Sequence, residues 1–529
     1  MYRFDRLQPR LRGLLVAVLL PLALVAAPGI AGAHASSGSG ATTTVVRIDA
    51  RAAGAPFPHT WERMFGSGRA VLALRAAYRR DLSMVAGATD FRYVRMHGIF
   101  DRGVGVFHMG ADGHPVYNFS YVDQIYDGLL ARGIKPFVEL GFMPPALAAN
   151  PHDTNGFWYR PVTSPPKSYR VWDAMIRAFA QHLVSRYGIH EVSSWYFEVW
   201  NEPNLGFWSG KPRQATYFKL YDHTARALKS VSPLLRVGGP ATAQAAWVPE
   251  FLAHAWKHHV PVDFVSTHVY GDDTAANVFH TNEQIPRAQM VCRAVDNVHR
   301  EIAASPYPHV PLIFSEYNAT YMNLPNITDS AFMGPWLAGT IAQCADKVAM
   351  MSYWSFSDVF EEQGVIRTPF YGGFGLVAEF GIRKPAFNAF ALLHKLGRTR
   401  LPVGAPEVIA TRRRDGTLAI ALWNYARPVG KTAQYVNAAP VGAPRHFEVH
   451  FDHLPKGAYA ELWRLGRHHG DAMRLYDAMG RPANPTRAQI ARLREAGRLD
   501  SPRVLRIESD TLDVTLPAYG LALLVVHGS

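Results

Sequence analysis

Two cysteines in 529 residues, Cys292 and Cys344, allow at most one disulfide and rule out a fold stapled by many bridges. Both fall in segments that read as amphipathic helices, so unpaired burial is expected, and neither has metal-ligand spacing. Charged residues make up only 18% of the chain against 48% hydrophobic, which excludes a largely disordered protein and implies a sizeable core. After residue 33 no stretch approaches 18 consecutive apolar residues, so no membrane span is expected there. There is no internal repeat. No metal-ligand cluster is visible, and neither a metal nor an organic cofactor is expected.

What the N-terminus does have is Arg3, Arg6, Arg10 and Arg12 ahead of an apolar run from Gly13 to Ala27, then small residues ending in Ala31-Gly32-Ala33. This is the pattern of a cleaved secretory signal over residues 1–33. A membrane anchor would need roughly 20 apolar residues, and Pro21 interrupts this run. Residues 34–44 read as a flexible leader, and a secreted or periplasmic location is expected. Losing the first 33 residues lowers the formal charge from +13 to +10, since four arginines and one aspartate go.

A basic surface could serve nucleic acid, an anionic membrane or an acidic polysaccharide. Here most of the excess lies in residues 395–529, with 20 Lys+Arg against 12 Asp+Glu, scattered rather than in a run. That is the pattern of a solvated surface, and neither nucleic acid nor a membrane is expected as a partner.

From about Phe91 short apolar runs alternate with amphipathic stretches, the pattern of strands and helices building a parallel sheet. Strands are expected at Tyr93–Met96, Pro136–Leu140, Ser194–Trp200, Arg236–Gly239, Phe264–His268, Leu312–Ser315 and Ala349–Trp354, with one more around Thr60–Phe65. Eight such units point to an α/β architecture, a closed (β/α)8 TIM barrel over residues 45–393. After Leu393 the segments Pro406–Thr411, Thr417–Asn424, Arg445–Phe451, Ala458–Leu465 and Thr511–Val526 are β-rich. Residues 394–529 are therefore expected to form a C-terminal antiparallel β-sandwich, with a helical insertion near Thr486–Glu495 and an extra strand from Val45–Asp49.

Two apolar strands end in carboxylates. Trp195-Tyr-Phe-Glu-Val-Trp-Asn-Glu-Pro203 delivers Glu202 to a rim where Pro203 stops the strand, and Pro311-Leu-Ile-Phe-Ser-Glu316 delivers Glu316. Barrel enzymes assemble their sites at the C-terminal ends of strands. Cleaving a glycosidic bond needs a proton for the leaving oxygen and a second carboxylate at the anomeric carbon, so the pair points to that chemistry. Asn318 and Asn326 open glycosylation sequons, but a glycan on Asn318 would sit beside Glu316 and block the cleft.

Asn201-Glu202-Pro203 together with Glu316 resembles the clan of retaining barrel glycosidases. The finer resemblance is to the β-xylosidase branch of glycoside hydrolase family 39. It is carried by His59-Thr-Trp-Glu-Arg-Met-Phe-Gly-Ser-Gly-Arg69, Tyr93-Val-Arg-Met-His-Gly-Ile-Phe-Asp101, Pro136 to Pro144, Tyr353 to Glu362, and Gly372-Gly-Phe-Gly-Leu376. Asn424-Tyr425 and the stretch from Ala478 to Leu493 extend it across nearly the whole mature chain.

The resemblance implies Glu202 as general acid/base and Glu316 as nucleophile, acting by double displacement with the carboxyl groups about 5–5.5 Å apart. It implies that Asn201 binds the sugar 2-hydroxyl, that His268 and Tyr270 point inward with Tyr270 orienting Glu316, and that Trp354 forms an apolar floor. His97, Glu361 and Glu362 are expected as hydroxyl ligands, and Arg95 as an ion-pair partner of Glu316. The expected activity is exo-acting β-D-xylosidase on xylo-oligosaccharides. Alternatives within the family are an endo-hydrolase of exopolysaccharide and an arabinosidase or galactosidase; outside it stands a carbohydrate-binding protein on a dead barrel. Family members often assemble, so a homo-oligomer is compatible with the resemblance.

Overall fold

The structure, a computed structural model, describes residues 42–428 and 442–528; the expected signal segment and most of the leader lie outside the described residues. Eight parallel strands close into a barrel in chain order. They are β1 (Met64–Arg69), β2 (Tyr93–His97), β3 (Lys135–Glu139), β4 (Tyr196–Glu198), β5 (Arg236–Thr242), β6 (Phe264–Tyr270), β7 (Leu312–Asn318) and β8 (Met350–Tyr353). Each faces the barrel interior on one side and the helical ring on the other, so β6 and β7 are buried at every residue. Met64, Phe137, Phe264, Ile313 and Met350 pack together inside the barrel as a plug.

Three strands differ from the sequence reading. Thr60–Glu62 is a 3₁₀ turn, and β1 starts only at Met64. β4 is confined to three residues, because Trp200 (φ 75°) and Glu202 (φ 43°) leave the extended region. The stretch Thr511–Val526 is two strands, Thr511–Leu516 and Leu521–His527, separated by a turn at Pro517–Gly520.

Apart from two short hairpin pairs, Phe107–Met109 with Pro115–Tyr117 and Val377–Ala378 with Ile382–Arg383, the remaining strands form two sheets. Thr42–Asp49 pairs in parallel with Arg445–Asp452, which pairs antiparallel with Thr511–Leu516. The larger sheet has seven strands, centred on Val408–Arg412, Leu418–Trp423, Leu521–His527 and Tyr459–Leu465. Val46, Ile48, Phe447 and Val514 meet Ile420, Leu462 and Leu524 between the sheets. The outer sheet alternates buried and exposed residues along Thr42–Asp49. The inner one does not alternate, because Ala419, Ala421, Leu521 and Leu523 on its other face join the barrel core. The expected helical insertion is Arg487–Ala496, opened by a capping box in which Thr486 and Gln489 satisfy each other's backbone N–H.

The cysteines correct the sequence reading. Cys292, on helix Arg287–Ala303, and Cys344, ending helix Met333–Cys344, are buried as expected but joined in a disulfide. Periodicity put each on a buried helix face and could not tell that the two helices pack together. Asn318 and Asn326 are both buried, so neither sequon presents an acceptor. Among the described residues no helix is long and apolar enough to cross a membrane.

Candidate active site

The barrel's C-terminal end holds a cavity of about 410 Å³ lined by His97, Asn201, Glu202, Tyr270, Glu316, Trp354 and Glu362, among others. Glu202 reaches it because the chain turns sharply after β4: its left-handed backbone is held by its own N–H donating to the Ala241 carbonyl at 2.7 Å. A left-handed non-glycine residue costs roughly 1–2 kcal/mol, a strain that persists where the surrounding fold over-determines it.

Arg95, fully buried on β2, organises the floor. Its Nε donates to Glu198 Oε2 at 2.6 Å, Nη1 to Glu316 Oε1 at 2.7 Å and Nη2 to Asn201 Oδ1 at 2.8 Å, while Nη2 also lies 3.0 Å from Glu139 Oε2. One guanidinium thus satisfies three acids and fixes the Asn201 amide with its NH₂ end free for the cavity. Tyr270 donates its hydroxyl to Glu316 Oε2 at 2.5 Å. Glu316 therefore has a strong donor on each oxygen, the setting that suits an anionic carboxylate.

Glu202 is different. Its partner is His268 Nδ1, 3.0 Å from Oε1, and burial pushes its pKa up to about 7. Burial also lowers His268 to about 4, so the imidazole is neutral. One oxygen of Glu202, one of Glu316 and one nitrogen of His268 all lie within 4.8 Å of one another. The structure thus brings a carboxyl whose proton affinity burial has raised face to face with one that accepts from Arg95 and Tyr270, an arrangement that fits acid-assisted displacement at a sugar carbon.

On the far wall His97 Nδ1 contacts Glu139 Oε2 at 2.6 Å, and its Nε2 lies 3.6 Å from Glu362 Oε1. Burial pulls its pKa down but Glu139 outweighs it, and the net shift is upward. Burial raises Glu362 to about 8. Trp354 lies beneath, 3% exposed, packed so closely on Gly66 that a Cβ there would stand 2.1 Å from the indole.

Glu361 is the exception among the expected ligands. It points away from the cavity into a clamp, accepting from Arg69 at 2.7 Å and Arg75 at 2.5 Å. Its left-handed φ of 68° sends adjacent side chains to opposite sides. Glu139 and Glu198 went unassigned from sequence; an acid inside an otherwise apolar strand, as in Phe137-Val-Glu139 and Tyr196-Phe-Glu198, is the signal that marks them.

Residues 44–510 match the glycosyl hydrolases family 39. The chain belongs to glycoside hydrolase family 39. A β-xylosidase of Geobacillus stearothermophilus is 38% identical over 450 residues, covering 83% of this chain and 86% of the relative. One of Caldicellulosiruptor saccharolyticus is 35% identical, covering 84% and 89%. Among solved structures, a monomeric β-xylosidase of Caulobacter crescentus CB15 superposes with a TM-score of 0.83 at 36% identity, covering 92% of this chain and 99% of that one. As a family 39 glycoside hydrolase this enzyme acts on carbohydrate, and its (β/α)8 barrel with a C-terminal β-domain is the architecture of those neighbours.

Proposed function

We propose that this family 39 hydrolase is an exo-acting, retaining β-D-xylosidase in which Glu316 is the nucleophile and Glu202 the acid/base. Glu316 attacks the anomeric carbon as Glu202 gives its proton to the departing oxygen. Glu202, now a base, takes a proton from water, which attacks the glycosyl-enzyme ester, releases Glu316 and restores the original anomeric configuration. The carboxyl oxygens within 4.8 Å support retention, since an inverting pair must leave room for water at about 6.5–9.5 Å.

Exo action rests on how one end of the cavity is closed. The loop after β3 meets the loop after β8 where the Trp158 N–H donates to the Glu362 carbonyl at 2.7 Å. Arg69 braces the junction, with its guanidinium 5.7 Å and 5.0 Å from the Trp158 and Tyr159 ring centres and an ion pair to Glu361. A chain could not run on past a terminal sugar there. Xylose as that sugar is supported by the names of the relatives at 35–38% identity. A uronate is disfavoured, because Glu202, Asp273, Glu316 and Glu362 line the cavity and no Lys or Arg does among the described residues. The residue 1–33 signal pattern and the Cys292–Cys344 bond support export to an oxidising compartment.

The test is hydrolysis of a panel of 4-nitrophenyl glycosides by wild type and Glu316→Ala, with the first-formed anomer read by NMR. Release from the β-D-xyloside as β-xylose, absent in the variant, is the expected result. No release from any glycoside by folded wild type, together with cleavage of internal bonds in a polysaccharide, would overturn the exo reading.

A further inference from the structure

At the end of the barrel opposite the catalytic cavity the chain enters β1 and leaves its last helix, Pro385–Leu393. This is also where the barrel closes. β1 pairs with β8 at two positions only, Met64 with Ser352 and Phe65 with Tyr353, whereas β1 pairs with β2 at five and β6 with β7 at six. Contacts outside the ladder reinforce this seam: Thr60 Oγ1 donates to the Ala345 carbonyl at 2.5 Å, and the Phe57 N–H donates to the Arg398 carbonyl at 2.8 Å. The same segments bring together His59, Glu62 and His394, none of which lines the catalytic cavity.

His59 and Glu62 flank the 3₁₀ turn ahead of β1, and His394 directly follows the last helix. His59 Nδ1 lies 2.6 Å from Glu62 Oε1, and His394 Nδ1 lies 2.8 Å from Glu62 Oε2. One ligand atom from each of the three residues lies within 4.8 Å of the others. His59 and Glu62 are buried, whereas the His394 side chain is 43% exposed. His394 follows Glu62 by 332 residues, so no spacing in the sequence reveals the cluster.

The surroundings set which ring nitrogen faces inward. His59 Nε2 lies 3.5 Å from the Gly397 carbonyl, and its ring packs on Trp61 with centres 4.4 Å apart. A neutral imidazole whose Nε2–H points at a carbonyl turns the lone pair of Nδ1 inward, the orientation that backbone carbonyls give to metal-binding histidines. Here that lone pair meets a carboxylate oxygen, so a cation belongs between them. Glu62 is itself oriented by the Asp90 N–H, which donates to Oε2 at 3.2 Å. Two imidazoles and one carboxylate, with a side open to water at His394, form a donor set suited to zinc. The spacings of 2.6 and 2.8 Å are shorter than the roughly 3.4 Å between ligands of a tetrahedral zinc with bonds of about 2.1 Å, so loading opens these gaps by less than about 1 Å, a movement that the exposed His394 can make.

We propose that His59, Glu62 and His394 form a structural site for one divalent transition ion of the zinc type, which staples the closing seam of the barrel. The ion takes the place of the protons between the imidazoles and the carboxylate and releases them to solvent. At the N-terminal end of the barrel, away from Glu202 and Glu316, it acts on stability and not on bond cleavage. The site stands whether or not xylose is the substrate.

The experiment strips the purified enzyme with EDTA, titrates it with ZnCl2, and reads stoichiometry by calorimetry and the thermal midpoint with and without metal, in wild type, His394→Gln and Glu316→Ala. His394→Gln removes a ligand at an exposed position while keeping an amide donor for Glu62, and Glu62→Gln repeats the test from the buried side should that variant not fold. Glu316→Ala controls for the catalytic cavity, where Glu202, His268 and Glu316 also place one atom each within 4.8 Å of one another. The expected result is one Zn²⁺ per chain in wild type and Glu316→Ala and none in His394→Gln, with the wild-type midpoint raised by a few degrees at about 100-fold excess of free Zn²⁺ over its Kd. No uptake by folded wild type, uptake that survives in His394→Gln, or equal midpoints for stripped and loaded wild type would overturn the proposal. Uptake lost in Glu316→Ala instead would place the ion in the catalytic cavity and overturn it equally.

Discussion

His268 Nδ1 lies 3.0 Å from Glu202 Oε1, and burial moves the two groups in opposite directions, His268 down to about 4 and Glu202 up to about 7. Between those values the pair is a neutral imidazole beside a protonated carboxyl, ready to donate. The donating form disappears as pH rises, so kcat/KM for xylobiose is expected to bend downward near pH 7 and fall about tenfold per unit beyond it. A pH–rate profile checks this. Glu202→Gln should lose that limb altogether, and its survival in the variant would assign it to another group.

The two carboxyl roles predict unequal variants. Glu316→Ala removes the atom that forms the ester and should abolish turnover of every substrate. Glu202→Ala should slow xylobiose by about 10²–10⁴-fold, the usual contribution of a general acid, but slow 2,4-dinitrophenyl β-D-xyloside far less, since that leaving group needs no proton. Steady-state rates on the two substrates decide it, and equal losses would contradict the assignment.

Much of this site was readable before the fold was seen, for a physical reason. Barrel strands buried on both faces are mostly apolar, so Glu202, four residues past the end of β4, and Glu316, near the end of β7, stand out in their runs, and Pro203 marks where the first run stops. Glu361 could not be told from Glu362, because the direction of each depends on one left-handed torsion in a loop. The cysteine pairing was equally hidden: Cys292 and Cys344 are 52 residues apart, and only helix packing brings their Cα atoms to 5.3 Å. The larger sheet was found in sequence, but its double-sided burial against the barrel is a tertiary fact.

Glu362 shows what an active-site acid does to stability. Burial raises it from 4.5 in its ordinary state to about 8, so between those values the folded protein keeps a proton that the unfolded chain releases. More protons bound in the native state means that stability falls as pH rises through this window. Glu362→Gln removes the penalty. Its thermal midpoint should match wild type at about pH 4.5 and exceed it by a few degrees at pH 8, even though activity is lost. A gap that stays constant with pH would mean that Glu362 is not the source.

Removing the disulfide should also be measurable. In the chain-entropy view a bond closing 52 residues stabilises by about 4 kcal/mol at most, by restricting the unfolded chain. The Cys292→Ser/Cys344→Ser variant should therefore unfold at lower denaturant, whereas its KM should be unchanged, since neither residue lines the cavity. Denaturant titrations of oxidised, reduced and variant protein test this, and coincident curves would show that the bond contributes nothing.

Lys384 is fully buried with two acids, 2.7 Å from Asp329 Oδ1 and 3.0 Å from Asp358 Oδ2, and donates to the Gly373 carbonyl at 2.6 Å. The acids in turn accept the N–H groups of Gly372 and Gly375 at 2.6 and 2.7 Å, so the triad pins the loop that carries Glu362 and Phe374 to the cavity. Burial, and then Asp329, push Asp358 up to about 7 even with the lysine present. Lys384→Met would leave both acids unpaired in the core, a change that costs about 3–5 kcal/mol when one member of a buried ion pair is removed. The cost should be larger at pH 8 than at pH 5, where the unpaired acids can take up protons. Lys384→Met/Asp329→Asn/Asp358→Asn should recover much of the loss, because no buried charge then remains, although KM should stay raised if the loop is no longer held in place. Thermal midpoints of the single and triple variants at the two pH values check this, and a single variant as stable as wild type at pH 8 would show that the loop is held by packing alone.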